Sequence, residues 1–207
     1  MPDTLAQRLL ACTPCHGEQG VSTNRGYLPR IAGKPAGYLH NQLLNFREGR
    51  RHNATMSRLT ATLSDDYLQA IGQHFAALDL PYQPPRPQVA SPASVARGRT
   101  LVEHGDPARQ LPACVACHGG AMMGVAPAIP GLLGLPSDYV LAQLGAWRTG
   151  LRQAQAPDCM LEIAQRLDIP DLVALASYLA AQPVPPGAKP VPGLPQPLPL
   201  PCGGMPR

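Results

Sequence analysis

The sequence has few aromatic side chains, which usually fill much of a protein interior. Phe, Trp and Tyr make up 4% of the 207 residues, although hydrophobic residues as a whole make up 44%. Aromatic side chains commonly account for a large share of core burial. The chain therefore either forms marginal cores or packs around a large apolar group that is not protein.

The sequence also lacks long apolar runs and long runs of basic residues. No stretch approaches the roughly 18 apolar residues of a membrane-spanning helix, so we predict no transmembrane segment. The first residues, MPDTLAQRLLACTPC, lack the charged start and apolar stretch of a signal peptide, which we expect to have been removed from the chain.

The formal net charge is +4, and only two of the 17 basic residues are lysines. Binding of nucleic acid would require a clustered basic face. The nearest candidate is a group of four arginines that we interpret as a solvated helix end: Arg47, Arg50, Arg51 and Arg58. We therefore predict no nucleic-acid partner.

Proline divides the chain into segments. Residues 81–92 contain five prolines and residues 183–207 contain ten. The first stretch is typical of a semi-rigid linker, and the second predicts an extended C-terminal tail. The expected organisation is a first domain at 1–80, a linker at 81–92, a second domain at 93–182 and a tail at 183–207.

The two predicted domains are copies of each other. Five residues of the first match residues of the second at a constant offset of 101, namely Tyr38, Gln42, Leu43, Phe46 and Arg47 with Tyr139, Gln143, Leu144, Trp147 and Arg148. One ordered series of this kind indicates a tandem duplication, and its long period indicates two domains instead of a solenoid.

Each copy has the apolar spacing of helices and no convincing alternation typical of strands. Ser64 is a candidate helix cap. The predicted apolar helix faces are Leu5, Leu9 and Leu10; Leu39, Leu43 and Phe46; Leu68, Ile71, Phe75 and Leu78; Val140, Leu144 and Trp147; and Leu172, Leu175 and Leu179. The expected fold class is all-α.

The motif Cys-x-x-Cys-His-Gly occurs twice, as CTPCHG at 12–17 and CVACHG at 114–119. A structural zinc site needs four ligands, so the two cysteine pairs would have to combine across the copies. A thioredoxin-type pair expects a βαβ setting, which the helical pattern does not provide. The remaining chemistry is covalent attachment of haem, in which both sulfurs bond to the porphyrin and the histidine binds iron.

Repetition of the motif in duplicated helical domains favours two covalently attached haem c groups. Cys12, Cys15, Cys114 and Cys117 are the predicted attachment residues, with His16 and His118 as iron ligands. A large apolar macrocycle in each domain would also account for the shortage of aromatic side chains.

A methionine is the expected second axial ligand, since a thioether raises the reduction potential of a haem. Met56 follows His16 by 40 residues and Met160 follows His118 by 42, so the two are equivalent in the repeat. The alternative is that each is an ordinary core methionine. We interpret the remaining candidates as loop packing, for Met122 and Met123, or as solvated or hydrogen-bonded histidines, for His40, His52, His74 and His104.

Together with these motifs, two longer stretches resemble the di-haem cytochromes c of the cytochrome c4 type: PRIAGKPAGYLHNQLLNFREGRRHNATM and PAIPGLLGLPSDYVLAQLGAWRTGLRQAQAPDCM. The resemblance covers about residues 5–182. It implies two cytochrome c folds packed face to face with neighbouring haems, a periplasmic location and electron transfer without bond-making chemistry. The proline-rich tail is a departure from that family.

Two cysteines remain after haem attachment, Cys159 and Cys202. Disulfides persist outside the bacterial cytoplasm, so we predict a bond between them that straps the tail across the second domain beside Met160. The alternative is two free thiols, with Cys159 behaving as a small buried hydrophobe.

The expected function is transport of single electrons from a dehydrogenase or quinol-oxidising complex to an acceptor such as a terminal oxidase. Residues 1–80 carry eight Lys/Arg and six Asp/Glu, whereas residues 93–182 carry six and seven. We hypothesise that the two ends meet different partners, with Arg47, Arg50 and Arg51 near the first.

Two other functions are open. The chain is alternatively a tightly bound electron-transfer subunit of a dehydrogenase complex. It is less consistent with a di-haem enzyme, such as a peroxidase or a thiosulfate-oxidising protein, because a methionine in both copies leaves no vacant axial position.

Overall fold

The computed structural model describes residues 4–22, 28–85 and 90–205. The described part is helical, as expected from the sequence. Its α-helices, in chain order, are α1 (Leu5–Arg8), α2 (Thr13–His16), α3 (Ala36–Arg47), α4 (Ala54–Thr60), α5 (Asp65–Ala76), α6 (Pro92–Glu103), α7 (Val115–His118), α8 (Ser137–Arg148), α9 (Cys159–Arg166) and α10 (Ile169–Ala181).

A small β ladder is a regular element that the sequence does not predict. Strands β1 (Gly124–Val125) and β2 (Ile129–Pro130) pair antiparallel, with Gly124 opposite Pro130 and Val125 opposite Ile129. Strands of two residues are too short to produce an alternating pattern. The chain also forms short 3₁₀ helices at Leu9–Cys12, Glu18–Gly20 and Pro107–Arg109.

The core of the first half lies between α3 and α5. Ser64 caps α5, where its hydroxyl accepts a hydrogen bond from the Tyr67 amide at 3.3 Å, as the sequence predicts. The buried residues of this core are Leu9, Leu39, Leu68, Ile71 and Phe75.

The expectation that Leu10 shares a buried face with Leu5 and Leu9 is wrong. Leu9 is buried, but Leu10 is 60% exposed. The chain tightens from α1 into the 3₁₀ helix at Leu9–Cys12. Adjacent residues point about 100–120° apart in either type of helix, so Leu10 points away from the face that Leu9 presents to the core.

The core of the second half lies where α6, α8 and α10 meet. It contains Val140 and Leu144 of the predicted α8 face and the whole predicted face of α10, together with Met122 and Met123, which pack from a loop as expected. Trp147, the third residue of the α8 face, is buried outside this cluster. Its buried residues also include Leu101, Val102, Leu111, Leu133, Leu135, Tyr139 and Leu167.

The start of the predicted linker is bound to the first half. The Arg30 guanidinium donates to the carbonyls of Leu80 at 2.6 Å and Pro81 at 2.9 Å, and it stacks 4.0 Å from the centre of the Tyr82 ring. Helix α6 begins at Pro92, the last residue of the predicted linker, with Ser91 as its cap. The domain boundaries themselves stay a prediction.

The C-terminal tail runs along the second half and ends on the first. Val191 exchanges backbone hydrogen bonds with the β1 region, donating to Gly124 at 3.0 Å and accepting from Ala126 at 2.8 Å. Further along, the side-chain amide of Asn41 in α3 donates to the Gly204 carbonyl at 2.7 Å. The tail therefore connects the two halves without forming a helix between 183 and 205.

None of the helices in the described part of the chain has the length and apolar character that a membrane span requires.

Gly98 allows α6 and α10 to approach closely. A Cβ at this position would lie 2.3 Å from the Ala174 carbonyl oxygen and 2.6 Å from Tyr178 Cβ. We expect Gly98→Ala to lower the free energy of unfolding by about 2 kcal/mol, because overpacking outweighs the gain in helix propensity. Denaturant titration of the haem-loaded protein measures the change.

Gly145→Ala is the matched control, since Gly145 lies in α8 and a Cβ there would meet no atom within 4 Å. It should raise the free energy of unfolding by roughly 0.5–1 kcal/mol. Equal stability of the two variants would contradict the close approach of α6 and α10.

Candidate functional site

The two Cys-x-x-Cys-His motifs lie on equivalent short helices. Helix α2 ends at His16 and α7 ends at His118, and in each case the next residue is a glycine with positive φ, 77° at Gly17 and 81° at Gly119. That conformation favours glycine, which explains the last residue of the repeated motif. The two cysteines of each motif are three residues apart and so share one side of the helical turn.

Each motif histidine is fixed by a backbone carbonyl. His16 Nδ1 lies 2.9 Å from the Pro29 oxygen, and His118 Nδ1 lies 2.8 Å from the Pro130 oxygen. Burial lowers the pKa of both imidazoles. A neutral ring that donates from Nδ1 to a carbonyl leaves the Nε2 lone pair for a metal, which is the usual arrangement of a histidine ligand.

These carbonyls also identify the equivalent loops. The two stretches that carry the family resemblance begin at Pro29 and Pro127, but the carbonyl that corresponds to Pro29 belongs to Pro130. Pro29 and Pro130 are 101 residues apart, the same offset that relates Tyr38 to Tyr139. The PRIAG segment therefore corresponds to PGLLG, and Lys34 corresponds to Leu135.

Met56 and Met160 both lie in the first turn of a helix whose cap is an Asn or Asp. The Asn53 side chain accepts from the Met56 amide at 3.0 Å, and the Asp158 side chain accepts from the Leu161 amide at 3.1 Å. In both halves, a side-chain oxygen of the cap residue thus accepts a hydrogen bond from a backbone amide of the turn that carries the methionine.

In the second half, Asp158 also fixes the loop before the methionine. Its Oδ2 atom accepts from Trp147 Nε1 at 3.2 Å and from the Ala154 amide at 2.6 Å. Phe46 occupies the position of Trp147 in the first half and has no N–H to donate. Asp158 thus fixes the loop before the second methionine through two hydrogen bonds, whereas in the first half the Met56 carbonyl accepts from the Thr60 hydroxyl at 2.9 Å.

All eight residues predicted to hold haem line one cavity of about 750 Å³. This volume lies in the upper part of the range of roughly 300–1,000 Å³ that is typical of small-molecule sites. The cavity walls come from both halves and include Cys12, Cys15, His16 and Met56 from the first and Cys114, Cys117, His118 and Met160 from the second.

The remaining two cysteines are joined. Cys159 and Cys202 form a disulfide with an S–S distance of 2.08 Å, directly before Met160 in the sequence. The Gly203 amide donates to the Pro157 carbonyl at 2.8 Å. The tail is therefore joined to this loop by a hydrogen bond as well as by the disulfide. Residues of the tail, among them Leu200, Gly204 and Met205, complete the cavity wall.

The geometry does not favour a zinc site. Across residues 4–22, 28–85 and 90–205, no three His, Cys, Asp or Glu side chains are grouped closely enough to hold a metal ion. Burial raises the pKa of the Cys114 thiol to about 12 and raises the pKa of Cys12 and Cys117 as well. Zinc binds the thiolate form, which these surroundings oppose.

Known proteins resemble the chain over most of its length, although no family model matches it. A protein of Stutzerimonas stutzeri named "Thiosulfate dehydrogenase electron acceptor" is 38% identical over 175 residues, which cover 83% of this chain and 78% of that protein. Cytochrome c4 of Pseudomonas aeruginosa is 34% identical over 170 residues, which cover 81% and 82%. The chain belongs to the cytochrome c4 family.

Two solved structures agree with this assignment. Reduced cytochrome c4 from Pseudomonas stutzeri matches with a TM-score of 0.73 and 28% identity, over 86% of this chain and 96% of that one. Thiosulfate dehydrogenase (TsdBA) from Marichromatium purpuratum matches with a TM-score of 0.74 and 37% identity, over 84% of this chain. This chain corresponds to 36% of the TsdBA chain.

Family membership confirms the expected fold and cofactor: the protein is a c4-type electron carrier with two covalently attached haems c. The relatives are named as cytochromes or electron acceptors, in agreement with an electron-transfer protein. Both repeated motifs lie on the wall of the same cavity.

A pair of arginines connects the two halves at the cavity. Arg51 and Arg152 face each other in an antiparallel bridge, flanked by backbone hydrogen bonds from His52 to Leu151 at 3.0 Å and from Gln153 to Arg50 at 2.6 Å. Each of the two side chains reaches across to the other half. Arg51 donates to Gln143 Oε1 at 2.7 Å, and Arg152 donates to Gln42 Oε1 at 3.0 Å.

These arginines concentrate positive charge inside the protein. Arg51 is 9% exposed and Arg152 is 5% exposed. Burial lowers the pKa of Arg152, and the neighbouring Arg51 lowers it further, while Tyr38 and Tyr139 oppose the shift. The Arg152 acceptors Gln42 and Gln143 are neutral amides. Both guanidinium groups lie over aromatic rings, Arg51 at 4.6 Å from the centre of Phe46 and Arg152 at 3.8 Å from that of Trp147. A positively charged wall of this kind fits a ligand that carries anionic substituents, as the propionates of haem do.

The interpretation of Arg51 as part of a solvated helix end is therefore wrong, and so is its assignment to a partner-facing surface. Arg47 and Arg50 are half-buried, with ion pairs to Asp65 at 2.6 Å and to Glu48, respectively. Arg58 is exposed, as expected. The repeat contained the signal for an internal role, because Tyr38, Gln42 and Arg51 recur as Tyr139, Gln143 and Arg152.

The two motifs differ in exposure. Cys15 is exposed and His16 is half-buried, whereas Cys117 is half-buried and His118 is only 7% exposed. The second motif is covered in part by the β1–β2 ladder, and Val191 of the tail lies against Gly119. The first half therefore offers the more accessible end of the cavity.

We expect the Cys159–Cys202 bond to exist in the purified protein. After unfolding without reductant, the haem-loaded protein should show no alkylatable thiol by mass spectrometry, and after reduction it should show two. The four motif cysteines should not be alkylated in either sample, since thioether bonds resist reductant. Two modified thiols in the unreduced sample would mean that the tail is not attached by this bond.

Proposed function

We propose that the four cysteines of the two motifs each form a thioether with haem, and that the axial pairs are His16 with Met56 and His118 with Met160. The observation that carries this proposal is that two equivalent sets of these residues line one cavity. When bound, each haem iron supplies reversible transfer of one electron between the ferrous and ferric states.

The residues around the cavity would then have separate tasks. The Pro29 and Pro130 carbonyls orient the two imidazoles, and the helix caps Asn53 and Asp158 hold the methionine turns. Arg51 and Arg152 would receive the anionic edges of both macrocycles at the junction of the halves.

Replacing the methionines one at a time tests the ligand assignment. We expect Met56→Ala and Met160→Ala each to abolish about half of the weak far-red absorption band that a methionine–ferric haem bond produces, and the double variant to abolish all of it. Met205→Ala is the control, because Met205 also lines the cavity. Loss of the band in Met205→Ala, or its retention in the double variant, would refute the assignment.

We infer that the protein works in the periplasm as the electron acceptor of a thiosulfate dehydrogenase and passes electrons on to an acceptor such as a terminal oxidase. The name of the Stutzerimonas stutzeri relative, at 38% identity, supports this donor. A disulfide and haem attached through thioethers both fit an oxidising compartment outside the cytoplasm.

The first half has features that suit the docking of the donor. Leu28 and Leu59 line the cavity and are partly exposed there, and Arg58 is exposed beside Leu59 in α4. An apolar rim with charged residues beside it allows electrostatic steering of a transient partner.

Stopped-flow mixing with a thiosulfate dehydrogenase and thiosulfate tests this function. We expect rapid reduction of the haem absorbance, and a several-fold lower second-order rate constant for Arg58→Glu at low ionic strength. Arg148→Glu is the matched control, because Arg148 is an exposed arginine on α8 of the second half. Absence of reduction would reject this donor, and equal effects of both variants would reject docking at the first half.

A second candidate is a fixed electron-transfer subunit of the dehydrogenase. It is favoured by the TsdBA structure, in which the matching region forms 36% of one longer chain. Gel filtration of the mixed proteins distinguishes the two, since a subunit elutes with the dehydrogenase at fixed stoichiometry and a diffusing carrier elutes alone.

A further inference from the structure

Lys34 carries a buried amine from the first half into the second. Its side chain is 4% exposed, and its Nζ atom donates to the Gly131 carbonyl at 2.9 Å. Gly131 directly follows Pro130, whose carbonyl lies 2.8 Å from His118 Nδ1. The amine therefore lies one residue along the chain from the group that orients the second motif histidine.

The surroundings of Lys34 provide another cation instead of a counter-ion. The charge of the Arg30 guanidinium acts on Lys34, and the Tyr82 ring lies 5.9 Å from Nζ. Within the described parts of the chain, no carboxylate lies within ion-pair distance of this amine. Burial lowers the pKa of Lys34 to about 7, and its positive charge lowers the pKa of His118. The positive charge of Lys34 therefore acts on His118, the motif histidine of the second half.

The positive charge of Lys34 has no equivalent at the corresponding position of the second half. The position in the second half that corresponds to Lys34 is Leu135, and the position that corresponds to Arg30 is Gly131. Leu135 is a buried member of the apolar core of the second half. The charge that acts on His16 is that of Arg51, whose position recurs in the second half as Arg152. Lys34 is a buried cation near the second motif histidine that has no charged counterpart in the repeat.

We propose that Lys34, a residue of the first half, raises the reduction potential of the haem held by His118 and so makes the two haems unequal. The inference rests on the proposed attachment and ligation of that haem. Lys34 would act as a positioning and tuning residue, because it touches the loop behind the histidine and not the iron.

The physical reason is electrostatic. Oxidation of a haem iron adds one positive charge, so a cation nearby disfavours the ferric state and favours the ferrous one. The effect is large where solvent is excluded, and the 4% exposure of Lys34 meets that condition. Net charge and burial around a haem are among the main means by which a protein sets its potential.

The test is spectroelectrochemical titration of the haem-loaded protein at pH 6, where an amine with a pKa of about 7 is protonated. All samples carry Met56→His, because loss of the thioether lowers the potential of the first haem and separates the two waves. Lys34→Gln keeps a donor for the Gly131 carbonyl without the charge, and Lys34→Met removes both.

The chain contains a matched control in its only other lysine, Lys189. That side chain is exposed in the tail and pairs with Asp79 at 2.6 Å. We expect Lys34→Gln and Lys34→Met to lower the potential of the second wave by similar amounts, several times the change in Lys189→Gln. The first wave should stay in place in all of them.

Each other outcome has a separate meaning. An unchanged second wave in Lys34→Gln overturns the proposal, even if Lys34→Met lowers it, because the hydrogen bond and not the charge would then matter. Equal shifts of both waves also overturn it. A preparation with fewer than two haems per chain would instead disprove the proposed haem attachment, and absorbance at a known protein concentration reveals that before any titration.

Discussion

The buried contact between Arg51 and Arg152 is the constraint on which the arrangement of the two halves depends. Two guanidinium groups meet at the cavity, and each donates to a glutamine of the opposite half at 2.7 or 3.0 Å. Like charges in a dry environment repel strongly, so such a contact needs compensating groups. Arg51 lies 4.6 Å from the centre of the Phe46 ring and Arg152 lies 3.8 Å from that of Trp147, and these aromatic faces supply part of the compensation. The anionic propionates of the proposed haems would supply more.

Because of the duplication, the two halves share a set of interactions around the motif residues, which is called the frame below. A few substitutions make the halves differ. The histidine–carbonyl pair, the capped methionine turn and the arginine–glutamine exchange occur in both. Lys34, the Trp147–Asp158 hydrogen bond and the disulfide at Cys159 each occur on one side only. Because the frame is conserved within the molecule, each of these differences acts on one haem against a nearly constant background. Two electron-transfer centres with different potentials and exposures can thus arise from one ancestral domain.

The chemistry of the site was predictable from the sequence, whereas its long-range packing was not. Attachment and ligation are local, since Cys, Cys and His fall within five residues and the glycine that follows needs a positive φ. Cys159 and Cys202 could be paired because they were the only cysteines left over. Arg51 was misjudged, because a basic residue near a helix end has the same local pattern whether it is solvated or buried against another domain. The exposure of Leu10 does not follow from its apolar character, because Leu9 and Leu10 are adjacent and adjacent helical residues point in different directions.

The tail adds a constraint that acts on the second site. The disulfide ends one residue before Met160, and the same stretch of tail is bound to α3 through Asn41 and Gly204 at 2.7 Å. Any opening of the methionine loop in the second half must therefore also strain the contact with the first. Among the described residues, Met56 has no neighbouring disulfide of this kind. The Asn53 side chain caps its helical turn. Loss of an axial methionine requires local opening, and opening is more costly where covalent and inter-domain contacts must break together. The contacts of the tail thus restrain the methionine loop of the second half, and the corresponding loop of the first half is freer to adapt to a partner.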